Sequence, residues 1–192
     1  MRKEDLLLQI AEKGYDVGFG AKKHLATYDI ISKAPGWISF ISISIGIVAL
    51  ATNFELDSFS SALLIIFGIS ALYIEPYRAE KKKYESVGKK MTSLFHNLKE
   101  LSARVESDDD FNSNKYLDEL QKIDKKFQDI AISKQVFVSD AYAHYKFFGQ
   151  MQIEWIDRIR PFSLWRDKIP FTAYPFLAFI LLAVIIIFIL KG

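Results

Sequence analysis

Two histidine pairs and one acidic run are the groups in this chain best suited to chemistry. His96 has Glu100 four residues on, and His144 has Asp140 four residues back. Residues four apart share a helix face, so each pair could offer two ligands to a metal. Neither pair grows into a ligand set, and His24 is distant in sequence, so the three histidines read as surface or packing residues. Asp108, Asp110, Asn112, Asn114 and Glu119 fall at positions 1, 3, 5, 7 and 12 of a calcium-loop spacing. Position 6, which needs Gly for its turn, is Ser113, and position 8, usually apolar, is Lys115. The segment Ser107 to Asn114 (SDDDFNSN) therefore reads as a capped, solvated loop between helices. The sequence contains no G-x-S-x-G, no P-loop and no G-x-G-x-x-G in a strand–helix setting. It has no cysteine, so thiolate metal sites and disulfides are excluded. No catalytic residue, metal ligand or cofactor is expected, and the chain is not read as an enzyme.

Three uncharged apolar stretches position everything else: Gly36–Thr52, Phe59–Ile74 and Ile169–Leu190. As helices they would be about 26, 24 and 33 Å long, against a hydrocarbon core of about 30 Å. The first two are separated only by Asn53–Ser58, which suits a tight transmembrane hairpin, and the third can span alone. The expected class is an all-α integral membrane protein with a transmembrane hairpin, a cytoplasmic helical bundle or coiled coil, and a C-terminal third transmembrane helix. The divisions are an N-terminal cytoplasmic amphipathic helix (1–35), the hairpin (36–74), a cytoplasmic helical region (75–168) and the last span (169–192). A cleaved signal peptide is not expected, because the first apolar run lies behind a charged segment.

Lys and Arg set the orientation. Arg2, Lys3, Lys13, Lys22, Lys23 and Lys33 precede the first span; Arg78, Lys81, Lys82 and Lys83 follow the second; Arg158, Arg160, Arg166 and Lys168 precede the third. The hairpin loop has only Glu55 and Asp57. The N-terminus and central region should face the cytoplasm, with the loop and the Lys191–Gly192 tail outside. Trp37, Tyr73 and Trp165 sit where interfacial aromatics belong. The net charge of +2 is too small to suggest direct nucleic-acid binding.

The N-terminal segment reads as helix from Lys3 to Ser32, broken near Gly14–Gly20 and ended by Pro35-Gly36, with Leu25, Tyr28 and Ile31 as an apolar stripe near the membrane. After Pro76, Tyr84, Val87, Met91, Leu94, Leu98, Leu101 and Val105 step by 3 and 4 in alternation, a heptad seam. That seam fits either intramolecular bundle packing or a self-associating coiled coil that sets oligomer number. Tyr116, Leu120, Ile123, Phe127 and Ile130 make a second seam able to pair with it, and an aromatic helical stretch follows from Ser133 to Arg158.

Small residues are in register within the spans. Ser39, Ser42, Gly46 and Ala49 share one face of the first, and Ser61, Gly68 and Ala71 one face of the second. Small residues let membrane helices approach closely. The face either packs the two helices together or lines a water-filled path in an oligomer. No span carries Asp, Glu, Lys, Arg or His. Pumps, coupled transporters and voltage sensors normally keep such residues in the membrane, so the sequence leaves a weakly selective pore or a passive anchor.

This order of basic helix, tight hairpin and long amphipathic helix resembles the SLATT superfamily of bacterial two-transmembrane effectors. The likeness is carried by KKHLATYDIISKAPGWISF at Lys22–Phe40, the hairpin to Ile74, and EPYRAEKKKYESVGKKM at Glu75–Met91. The third span departs from the family's two-span plan. The resemblance implies a pore-forming or membrane-disrupting effector of antiviral abortive infection. Its expected partners are the lipid bilayer, further copies of itself, and a regulatory component of a nucleotide-signalling or reverse-transcriptase defence system. A non-toxic membrane scaffold, whose helical bundle recruits a partner, is the competing expectation.

Overall fold

The structure is a computed structural model that describes residues 1–52 and 57–170, together with Tyr174, Leu177, Leu181 and Leu182. Most of the hairpin loop, most of the third apolar stretch and the Lys191–Gly192 tail lie outside the described residues. All regular structure among the described residues is helical. In chain order it comprises α1 (Lys3–Thr52), α2 (Ser58–Arg78), α3 (Lys81–Ser107), α4 (Ser113–Ile130), α5 (Ser139–Gln150) and α6 (Glu154–Ile159). A π-helical turn, Leu164–Lys168, follows.

Helix α1 corrects two expectations. It is continuous for 50 residues, roughly 75 Å long, without a break at Gly14–Gly20 and without a stop at Pro35. The glycines permit close approach rather than a turn. A Cβ on Gly18 would come within 2.9 Å of both the Phe147 and Phe95 rings, so only hydrogen lets those rings reach the helix backbone. Tertiary packing thus overrides glycine's low helix propensity. Pro35 cannot donate to the Ile31 carbonyl. It is nevertheless bracketed by a buried contact, because Ile31 packs with Ile74 and Tyr77 at the foot of α2.

The core forms where the first half of α1 meets α3, with α4, α5 and α6 completing it. Leu6, Ile10, Ala11, Val17 and Ala21 of α1 join Met91, Phe95, Leu98, Leu101 and Val105 of α3, all at most 1% exposed. Every residue of the first heptad seam is buried, and so are Tyr116, Leu120 and Ile123 of the second. Of the two uses open to the first seam, the structure displays intramolecular packing. Asn112 caps α4, accepting from the Asn114 N–H at 3.1 Å, and Arg104 pairs with Glu119 across the α3–α4 hairpin.

The aromatic stretch begins later than expected and is divided. Residues 131–138 are not helical, α5 starts only at Ser139, and Met151–Ile153 separates it from α6. The interruption has a packing reason. Phe147 is fully buried at Gly18, and Trp155 and Ile156 fill the space at Gly14, so the chain must turn between them.

Candidate functional site: the membrane hairpin and its strap

Beyond Pro35, α1 leaves the core and runs beside α2. The most apolar 18-residue stretch of α1 has none of its residues buried by the rest of the chain, and that of α2 only 6%. A helix serving as the core of a water-soluble protein would be mostly covered. These two instead expose Phe40, Ile43, Ile47, Leu50, Ile65, Ile69 and Leu72. Asp57 starts α2 as its N-cap, accepting from the Ser60 N–H at 2.9 Å.

The small-residue face divides in two. Ser42 and Ala49 on α1, and Ser61 and Ala71 on α2, are half-buried. Ser39, Gly46 and Gly68 are exposed, and a Cβ on either glycine would meet nothing within 4 Å. The glycines are therefore not consumed by packing within the hairpin. The hydroxyls differ as well. Ser44, Thr52 and Ser70 bond back to the carbonyls of Phe40, Val48 and Ile66 at 2.7–2.8 Å. Among the described residues, Ser39, Ser42 and Ser61 make no such bond, so their hydroxyls remain available.

Residues 131–138 form a strap across the foot of the hairpin. The His24 Nε2 accepts the Ile132 N–H at 3.1 Å, and the Tyr84 hydroxyl donates to the Lys134 carbonyl at 2.6 Å. Thr27 donates to the Gln135 side chain at 2.6 Å. The Tyr73 hydroxyl accepts the Phe137 N–H at 3.0 Å. Helices α1, α2 and α3 are thus each fastened to one extended segment. Sequence reasoning missed it by reading Ser133 onward as helix. Its anchors include the buried Tyr77 and Tyr84, whose hydroxyls need hydrogen-bond partners, but nothing local in the sequence names the strap as that partner.

His24 is buried at this junction, and its Nδ1 donates to the Gly20 carbonyl at 2.7 Å while Nε2 accepts. That tautomer is neutral. Burial, with help from the charge on Lys23, pushes its pKa below the ordinary imidazole value. The unfolded chain, titrating near 6.5, then binds the proton more readily than the folded one. Stability should be retained above about pH 6.5 and lost as pH falls through the lower folded value. Thermal unfolding between pH 7.5 and 5 should show the decline, and His24→Gln should flatten it. In the same region Asp29 is half-covered. Burial opposes its charge, but hydrogen bonds from Lys146 and Lys33 outweigh that and hold the carboxyl below its usual range.

The groups first considered for chemistry have other tasks. Asp108 accepts from the Tyr116 hydroxyl at 2.7 Å and from the Asp110 N–H at 3.0 Å, while Glu119 faces Arg104. His144 packs against Phe148 and meets the Asp167 carbonyl at 2.9 Å, and the His96 ring lies beside Phe95. Among the described residues no three His, Asp or Glu side chains converge to hold a metal.

The fold thus defines a class: a two-helix membrane hairpin carried on a compact helical core. The chain belongs to the family described as SMODS and SLOG-associating 2TM effector domain 6, whose model matches residues 1–177. The resemblance to the SLATT superfamily is borne out, and the chain is an effector domain with two helices long and apolar enough to cross a membrane. The third apolar stretch, Ile169–Leu190, begins inside that match and extends past it. Comparison with curated proteins and with solved structures gave no match.

Proposed function

We propose that this chain is the membrane-opening effector of a bacterial antiviral system that acts by abortive infection. It sits in the inner membrane with its N-terminus and helical core in the cytoplasm, and several copies assemble through their hairpins. A regulatory partner, from a nucleotide-signalling or reverse-transcriptase module, holds it silent until infection. One observation carries this reading. The apolar spans 36–52 and 59–74 carry no Asp, Glu, Lys, Arg or His and stand almost clear of the chain's own core, and Ser39, Gly46 and Gly68 are left facing outward. Small residues turned away from the hairpin's own contact suit close approach by a neighbouring hairpin. Copies arranged in this way would bring the unpaired hydroxyls of Ser39, Ser42 and Ser61 near a shared path. With no charge in the spans, such a path would discriminate weakly between ions. The core supplies no catalytic group in this account; it is the rigid base through which a signal reaches the hairpin.

Induced expression should collapse the membrane potential and admit a membrane-impermeant dye, with the protein recovered in the membrane fraction. Cells that keep their potential at high expression, with the protein inserted, would favour the scaffold reading.

A further inference from the structure

The strap does more than fasten helices, because its tip is apolar and uncovered. Phe137 is 76% exposed and Val138 55%. The tip is also held rather than loose. Val138 has φ 66°, the one positive value among described non-glycine residues, and a β-branched side chain resists that conformation. Such strain persists only where surrounding contacts impose it. Here those contacts are the bonds from Ile132, Lys134, Gln135 and Phe137 to α1, α2 and α3. An exposed aromatic and an exposed valine, presented on a rigid turn, are what a polar partner would not select.

The position of the tip names its partner. The Phe137 N–H bonds to Tyr73, at the interfacial end of α2, so the tip lies level with the edge of the membrane-crossing segment. Two lysines stand on aromatic rings at the same foot of the hairpin. The Lys134 ammonium lies 4.8 Å from the Tyr77 ring centre and that of Lys81 5.5 Å from Tyr28. Neither lysine pairs with a carboxylate among the described residues. A groove of about 380 Å³ lined by Tyr73, Phe137, Val138 and the ion pair of Lys23 with Asp140 (2.7 Å) adjoins the tip. Asp140 also lines the neighbouring cavity that holds Ile169 and Pro170, where the third apolar stretch begins. Apolar side chains flanked by free lysines, continuous with a membrane edge, match the interfacial layer of an anionic bilayer.

We propose that Phe137 and Val138 are a shallow membrane anchor that seats the base of the core in an anionic headgroup layer, with Lys81 and Lys134 as its headgroup contacts. The inference rests on the membrane reading of the hairpin and does not depend on pore formation. The anchor would fix the depth at which the core rides, and thereby the angle at which it meets the hairpin.

The absence of native cysteine makes the test direct. Single-cysteine variants Phe137→Cys, Val138→Cys, Ile47→Cys and Leu8→Cys of the full chain would carry an environment-sensitive fluorophore, with Leu8, 42% exposed near the start of α1, as the water-facing reference. They would be reconstituted into phosphatidylcholine vesicles with or without phosphatidylglycerol. Labels at 137 and 138 should be quenched by a shallow nitroxide lipid, and be at least about threefold less accessible to iodide than the label at 8. The effect should be larger with phosphatidylglycerol and shrink in Lys81→Gln plus Lys134→Gln. A label at 137 as open to iodide as that at 8, while 47 is quenched by lipid, overturns the anchor and leaves the hairpin reading intact. Shielding from iodide without lipid quenching also overturns it, since a protein then covers the tip. If 47 itself escapes lipid quenching, the hairpin reading fails and the anchor with it.

Discussion

Gly46→Leu is expected to abolish membrane depolarisation on induced expression while the chain still folds and inserts. The two halves of that expectation have separate physical causes. Within one chain nothing lies within 4 Å of a Cβ at Gly46, so a leucine there displaces nothing and the core, far along α1, is untouched. Between chains, the same leucine would hold apart two backbones that small residues allow to meet. Ser42→Ala should be milder, because it nearly conserves volume at a half-buried position and removes only a hydroxyl. Leu72→Ile, at a residue 75% exposed on α2, exchanges one apolar chain for another and serves as the control. Dye uptake and membrane fractionation, run on the same cultures, separate lost activity from lost insertion. Full depolarisation by the Gly46 variant would place that face against lipid.

The second large effect concerns α3. Leu94→Asp combined with Leu98→Asp should unfold the helical core rather than merely dissociate an oligomer. Leu98 is fully buried and Leu94 8% exposed, both within the cluster that includes Leu6, Ile10 and Val17 of α1. Truncating a buried leucine to alanine costs about 2–5 kcal/mol, and an unpaired carboxylate in its place costs more. Two such changes approach the whole stability of a typical domain, about 5–15 kcal/mol. Rapid proteolysis of the core and loss of its thermal transition are the expected readouts. A double variant that resists protease as wild type does would put the seam outside the core.

These contrasting fates explain what the sequence could reveal. Hydrophobic period is a local property, and it marked α3 and α4, since Met91, Leu98 and Val105 recur on one helical face whatever they pack against, while the length of the uncharged apolar runs marked the two hairpin helices. Period says nothing of the partner, so the same seam fitted either a second copy or α1. Glycine and proline misled for a related reason. Gly14, Gly18 and Pro35 are helix breakers by propensity, yet α1 passes through all three because Trp155, Phe147 and Phe95 need backbone contact and Ile31 is held beside Ile74. The strap was illegible because its cause is distant. Ile132, Lys134 and Phe137 are fixed by side chains 50 to 108 residues away, and no local pattern encodes such partners. For the candidate small-residue face, spacing supplied the list of residues. Its division into a half-buried set and an outward set required the geometry of the pair.

The central claim is that the assembled hairpin conducts. Purified full-length chain, reconstituted in a planar bilayer with insertion verified by lipid quenching of a label at position 47, gives the most direct measurement. The account predicts discrete conductance steps with weak ion selectivity, absent from Gly46→Leu under the same conditions. An inserted wild-type protein that leaves the bilayer electrically silent at every protein density would contradict it.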